Sequence, residues 1–101
     1  MDLYFEYTDN VTIGIYNKCF YCGKECNTTL DHFYPKCLGG KLKINCCLEC
    51  NLEKGSRVPK AWIKHNLNKM KTMESEHEII KCERIINSTQ SLLDNIILKY
   101  E

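Results

Sequence analysis

The first half of the chain alternates apolar and polar residues with a period of two, which is typical of short β-strands. The stretch LYFEYTDNVTIGIY, residues 3–16, predicts a β-hairpin with a tight turn at Asp9-Asn10. A second β-rich run begins at Thr28 and is ended by Pro35, and KLKIN, residues 41–45, follows as a candidate return strand. The pattern therefore predicts a small sheet of short strands.

From Leu48 onward the apolar positions follow a helical period. Gly55 ends a first helix and Pro59 begins a second, whose apolar stripe we predict to be Ile63, Leu67 and Met70. A third, longer helix is predicted from apolar residues that recur at helical spacing over residues 74–100. Its apolar face is so wide that we expect either the small domain or a second copy of the chain to cover it, as in a homodimer.

A length of 101 residues allows one domain with a modest core. Within it we distinguish the hairpin (1–17), a cysteine-rich core (18–55), a basic helix (56–71) and a long amphipathic C-terminal helix (72–101). The apolar runs are all too short to span a bilayer, so we expect no membrane contact.

The net charge of +1 conceals an uneven distribution along the chain. Residues 36–71 contain nine Lys and Arg against two Glu, giving +7, whereas residues 1–17 and 72–101 each sum to −3. A basic centre of this kind favours contact with a polyanion, although solvated surface lysines would give the same count. The residues we expect to contact a nucleic-acid backbone are Lys54, Arg57, Lys60 and Lys64.

Eight cysteines in so short a chain indicate either a secreted, disulfide-linked protein or an intracellular, metal-binding one. The opening MDLYFEYTDN lacks the basic start and the apolar run of a signal peptide. We therefore expect a reducing, intracellular compartment in which the thiols are available to metal, and a disulfide scaffold is the weaker alternative.

Two CxxC pairs, Cys19/Cys22 and Cys47/Cys50, lie within common zinc-ligand spacings of each other. Two residues between thiolates let a tight turn direct both sulfurs at one ion, and two such turns complete a tetrahedron. The sequence predicts a closed structural Zn²⁺ site here, which would stabilise the fold and perform no chemistry. Cys46 also has a ligand spacing to Cys50, but Cys47 repeats the spacing of the first pair.

The remaining cysteines have weaker assignments. Cys82 falls on the apolar stripe of the long helix and is expected in the core. Cys26 and Cys37 have no role that the sequence identifies.

The stretch LDHFYPKCLGG, residues 30–40, places Asp31-His32 between the two CxxC pairs. Taken with CFYC before it and CLECNLEKG after it, the order of elements over residues 19–55 resembles the HNH endonucleases. The resemblance implies an α+β fold in which a small zinc-stabilised ββα-metal (HNH) domain is accompanied by the N-terminal hairpin and the C-terminal helices.

The resemblance also implies roles for three residues. His32 would be the general base that activates water, and Asp31 and Asn51 would hold one divalent ion, Mg²⁺ or Mn²⁺. These residue types suit phosphodiester hydrolysis, because imidazole titrates near neutral pH and hard oxygen donors bind Mg²⁺. The implied activity is metal-dependent cleavage of DNA, and the residues do not distinguish DNA from RNA.

One element departs from the family pattern. The middle Asn, which fixes the loop carrying the base, would fall at Leu42, and the nearest Asn is Asn45. We take Asn45 as the candidate positioning residue. The alternative function is a catalytically inactive zinc-stabilised module that binds nucleic acid.

Overall fold

The computed structural model describes the backbone of residues 11–100 and the side chains of residues 11–96. The predicted hairpin turn at Asp9-Asn10 lies outside this range. The described strands are β1 (Thr12–Ile13), β2 (Thr29–His32) and β3 (Lys43–Cys46), and the helices are α1 (Leu48–Lys54), α2 (Pro59–Met70) and α3 (Glu76–Tyr100). A short 3₁₀ turn spans Lys36–Leu38.

The three strands form one mixed sheet in the order β1-β3-β2. β2 and β3 are antiparallel, and their register pairs Asp31 with Ile44 and His32 with Lys43. β1 pairs with β3 in the parallel direction. β2 thus lies at an edge of the sheet, next to helix α1, and the predicted α+β fold class is confirmed.

Helix α1 begins and ends where the sequence predicts. The sulfur of Cys47 accepts a hydrogen bond from the Cys50 amide, which satisfies an N-terminal amide group of the helix. Gly55 terminates the helix with a φ of 54°, a backbone conformation that residues with a Cβ rarely adopt.

Helix α2 presents a different face to the core than its apolar stripe predicts. Leu67 of that stripe is 47% exposed, whereas the buried residues are Pro59, Trp62 and Asn66. The Trp62 ring makes an edge-on contact with Tyr21, with the ring centroids 5.8 Å apart. Packing against the first cysteine pair therefore decides which face of α2 points inward.

Much of the apolar face of α3 is covered by the chain itself over the part whose side chains are described, although Ile80 is 42% exposed. This face contributes the following residues to the core, each less than 10% exposed: Cys82, Ile85, Leu92, Leu93 and Ile96. Packing within the chain accounts for these residues, and a homodimer through this helix stays a prediction. Across the described residues, no helix combines the length and the apolarity that crossing a membrane requires.

Candidate active site and metal centre

Four buried cysteine sulfurs converge at one point between the turn after β1 and the start of α1. The sulfurs of Cys19, Cys22, Cys47 and Cys50 all lie within 4.8 Å of one another. In each pair a backbone amide, that of Cys22 or of Cys50, donates to the first sulfur at 3.4 Å. Sulfurs bound to one tetrahedral zinc would be about 3.8 Å apart. The measured Cys22–Cys47 separation is 3.9 Å, so the cluster can hold a metal ion such as zinc.

The electrostatics of the cluster suit cation binding. Hydrogen bonds from the Cys22 and Cys50 thiols lower the pKa of Cys19, which favours a thiolate at that position. The neighbouring Cys46 lies outside the cluster, and burial raises its pKa to about 12. The choice of Cys47 over Cys46 from the repeated spacing agrees with this geometry. Cys26 is half-buried and Cys37 is exposed, and neither belongs to the cluster.

Helix α1 docks on the outer edge of β2 through two side chains one helical turn apart. The Asn51 Nδ2 donates to the Thr29 hydroxyl at 2.9 Å and to the Leu30 carbonyl at 3.4 Å. The Lys54 Nζ donates to the His32 carbonyl at 2.9 Å. These bonds hold the helix against the strand that carries Asp31 and His32.

A buried polar network surrounds the carboxylate of Asp31. Its Oδ2 accepts from the Tyr21 hydroxyl at 2.8 Å and pairs with the Lys54 ammonium at 3.1 Å. Burial lowers the pKa of Lys54, and the Asp31 charge opposes that shift by stabilising the ammonium. Burial and the Asp31 charge raise the pKa of Tyr21, which keeps the phenol protonated as a donor.

The three residues singled out by the family resemblance share one open depression. Asp31, His32 and Asn51 line it, together with residues of the 3₁₀ turn and of the segment after α1. Asp31 is 5% exposed and His32 is half-buried. A carboxylate, an imidazole and a carboxamide thus belong to residues that border the same depression.

The structure does not bring Asn45 to His32, contrary to the predicted positioning role. In the β2–β3 register Asn45 pairs with Leu30, and His32 pairs with Lys43. The Asn45 side chain accepts from the Thr28 hydroxyl at 3.1 Å and donates to the Gly14 carbonyl at 3.3 Å. The physical reason is the short loop after Gly40, which leaves Asn45 within β3 and directed towards the turn after β1.

The basic residues expected to contact nucleic acid differ in their surroundings. Lys54 is fully buried and paired with Asp31, so the structure corrects the expectation that its charge is offered to a phosphate. Arg57 is exposed, and its guanidinium donates to the Glu53 and Lys54 carbonyls at the end of α1. Lys60 and Lys64 are exposed on α2, four residues apart and so on one face.

Sequence reasoning missed Tyr21 and Lys36 in this region and gave Lys54 the wrong surroundings. Tyr21 stands between two cysteines of the cluster, and its buried hydroxyl is visible only in the fold. Lys54 was assigned to the surface because lysine is rarely buried. Lys36 follows Pro35 in the sequence and lies, exposed, on the rim of the depression. Lys36 directly follows the DHFYP stretch, and this position was the signal that it lies near Asp31 and His32.

A comparison with protein families agrees with this geometry. Residues 19–67 match the family model described as HNH endonuclease, which confirms the resemblance over that segment. The match indicates a nuclease-type or nucleic-acid-binding role. No curated protein and no solved structure matches the chain at a significant level.

Proposed function

Because residues 19–67 match the HNH endonuclease family, we propose that this protein is a metal-dependent endonuclease that hydrolyses DNA phosphodiester bonds. The observation that best supports the proposal is the shared depression lined by Asp31, His32 and Asn51. Asp31 and His32 come from the edge strand β2, and Asn51 comes from the adjacent helix α1. Asn51 lies 19 positions after His32 in the sequence.

His32 acts as the general base in this proposal. An imidazole can accept a proton from a water molecule directed at the scissile phosphorus. The Lys54 ammonium holds the His32 main chain through its carbonyl oxygen. This contact positions the base in the absence of any contact from Asn45.

Asp31 and Asn51 are the residues that would hold a catalytic divalent ion. Their carboxylate and amide oxygens are the hard donors that Mg²⁺ and Mn²⁺ prefer. The Asn51 Nδ2 is engaged by Thr29 and Leu30, which fixes the amide plane and leaves its oxygen as an available donor. A bound ion would stabilise negative charge on the phosphate and on the leaving oxygen.

The four-cysteine cluster holds a structural Zn²⁺ in this proposal. Four thiolates close the coordination sphere, so the ion contributes folding free energy and no reactivity. The cluster includes Cys47, which begins α1, and it thereby fixes the helix that carries Asn51 and Lys54.

Exposed cations provide the contact with the nucleic-acid backbone. Lys36 lies on the rim of the depression. Lys60, Lys64 and the partly engaged Arg57 extend the basic surface beyond α1. Such contacts position a substrate without selecting its sequence.

Cleavage of supercoiled plasmid in the presence of Mg²⁺ or Mn²⁺ tests the proposal. We expect the wild type to relax or linearise the plasmid and His32→Ala to lose at least about a hundredfold of the rate, because general bases contribute on that scale. His77→Ala is the matched control, since His77 is an exposed residue of α3. Cleavage by His32→Ala at the wild-type rate would refute the assignment.

A catalytically inactive nucleic-acid-binding module is the second candidate. The observation that favours it is the position of Asn45, which leaves His32 without the family's positioning contact. Gel-shift titrations separate the two functions. Duplex binding by the zinc-loaded protein that persists without added Mg²⁺ or Mn²⁺ and is unchanged in Asp31→Ala, together with no cleavage in any divalent metal, would establish the binding module.

A further inference from the structure

Two side chains of α1 bind four consecutive residues of β2. Asn51 contacts Thr29 and Leu30, and Lys54, one turn later, contacts Asp31 and His32. Lys54 is thus the only described residue that is bonded both to the Asp31 side chain and to the His32 main chain. It connects the proposed metal ligand with the proposed base.

The same contact determines what Asp31 can offer to a cation. Both described contacts of its carboxylate, from Tyr21 and from Lys54, are made to Oδ2. Oδ1 is therefore the oxygen that we take as the cation's ligand. Lys54 is fully buried, so the attraction between its ammonium and the carboxylate is weakly screened by solvent.

The formal charges of the site cancel. Asp31 contributes −1, Lys54 contributes +1, and the amide of Asn51 is neutral. Proteins usually bind Mg²⁺ through one or two carboxylates together with phosphate groups of the substrate. A site of zero net charge is a weak one for a divalent cation until a phosphate adds negative charge.

We propose that Lys54 is a positioning residue that holds the Asp31-His32 pair and neutralises Asp31, so that the divalent cation is bound together with the scissile phosphate rather than by the free protein. The inference rests on the proposed function, because it takes Asp31 and Asn51 as the cation's ligands. It assigns Lys54 a role in the order of binding, in which the nucleic acid and the metal each strengthen the binding of the other.

Mn²⁺ binding to the zinc-loaded protein tests the charge argument without any turnover. The loss of the free Mn²⁺ signal in electron paramagnetic resonance measures the binding. At about pH 8, Lys54→Met should bind Mn²⁺ at least about tenfold more tightly than the wild type, because a full carboxylate charge becomes available. Asp31→Asn measures the background from other acids. Lys71→Met, which removes an exposed lysine, is the matched control and should behave as the wild type.

Binding in the presence of duplex DNA tests the coupling. In a His32→Ala background, which retains both proposed ligands, duplex DNA should tighten Mn²⁺ binding by at least about tenfold. Adding Lys54→Met should reduce that enhancement, since the free protein then already binds the ion. The same measurement with Asp31→Asn added corrects for Mn²⁺ held by the DNA alone.

The rate of DNA cleavage is the third measurement, and we expect it to change in the opposite direction to the metal affinity. Lys54→Met removes the donor to the His32 carbonyl, so plasmid cleavage should fall by at least about tenfold while metal affinity rises. A lysine with a purely structural role would lower both when replaced. Zinc content and thermal unfolding verify that each variant is folded, and Lys54→Gln replaces Lys54→Met if the latter is not.

The outcomes distinguish this inference from the proposed function. Mn²⁺ affinity in the folded Lys54 variant that equals or falls below the wild-type value overturns the inference, whether or not the wild type cleaves DNA. Tighter binding by that variant supports the neutral-site argument. If the wild type then cleaves nothing in any metal, the hydrolytic function fails and the cation site stands.

Discussion

At the scale of single residues, the cysteine cluster depends on local spacing, whereas the buried pair of Lys54 and Asp31 depends on the fold. The CxxC pairs identified all four members of the cluster, because a tight turn needs a fixed number of residues whatever the fold around it. Lys54 was misplaced, because a charge count treats every lysine as exposed. Its burial follows from Asp31, a partner 23 residues earlier in the chain, and no local pattern reveals such a pair.

Two adjacent cysteines provide a matched test of the cluster. Cys47→Ser should lower the zinc content to well under one ion per chain and unfold the domain, because a ligand is lost. Cys46→Ala should keep its zinc and lose only the stability of a small buried side chain, since Cys46 lies outside the cluster. Zinc analysis and circular dichroism measure both. Equal zinc loss in the two variants would contradict the ligand assignment.

At the scale of elements, proline and glycine residues determine where strands and helices end, and tertiary packing determines which helix face points inward. Pro35 and Gly55 ended β2 and α1 close to the predicted positions, because their backbone restrictions act locally. The inward face of α2 was predicted incorrectly, since Trp62 packs against Tyr21, which lies far away in the sequence between Cys19 and Cys22. The parallel pairing of β1 with β3 is equally non-local, and no short-range signal announces it.

Helix α3 contains a buried polar group whose replacement should stabilise the protein. Thr89 is fully buried, and its hydroxyl has no hydrogen-bond partner within the described part of the chain. Thr89→Val keeps the shape and removes the cost of burying that oxygen, so we expect about 1 kcal/mol of added stability. Urea denaturation of the zinc-loaded protein measures the change. A loss of stability would mean that the hydroxyl is bonded.

At the scale of the whole molecule, the core is small and the cysteine cluster is part of it. All four cluster residues are at most 5% exposed and belong to the same buried group as Phe33, Ile44 and Trp62. Loss of an ion held by these cysteines would therefore disturb packing as well as coordination.

Chelation should consequently unfold the protein rather than only inactivate it. We expect a zinc-selective chelator to abolish the helical circular dichroism signal, and added Zn²⁺ to restore it. Omitting Mg²⁺ from the buffer, with no chelator present, should leave the fold intact. Retention of the native spectrum after complete zinc removal, confirmed by elemental analysis, would show that the cluster is dispensable for folding.

Helix α1 begins inside the cysteine cluster and, seven residues later, ends in the ion pair with Asp31. Successive residues of an α-helix are rotated by about 100° around its axis. One inserted or deleted residue between Cys50 and Lys54 would therefore turn the ammonium away from the strand while the sulfurs stayed in place. The distance in sequence from the last cysteine to this lysine is thus as constrained as the identity of either residue, and related chains should tolerate substitutions here more readily than changes of length.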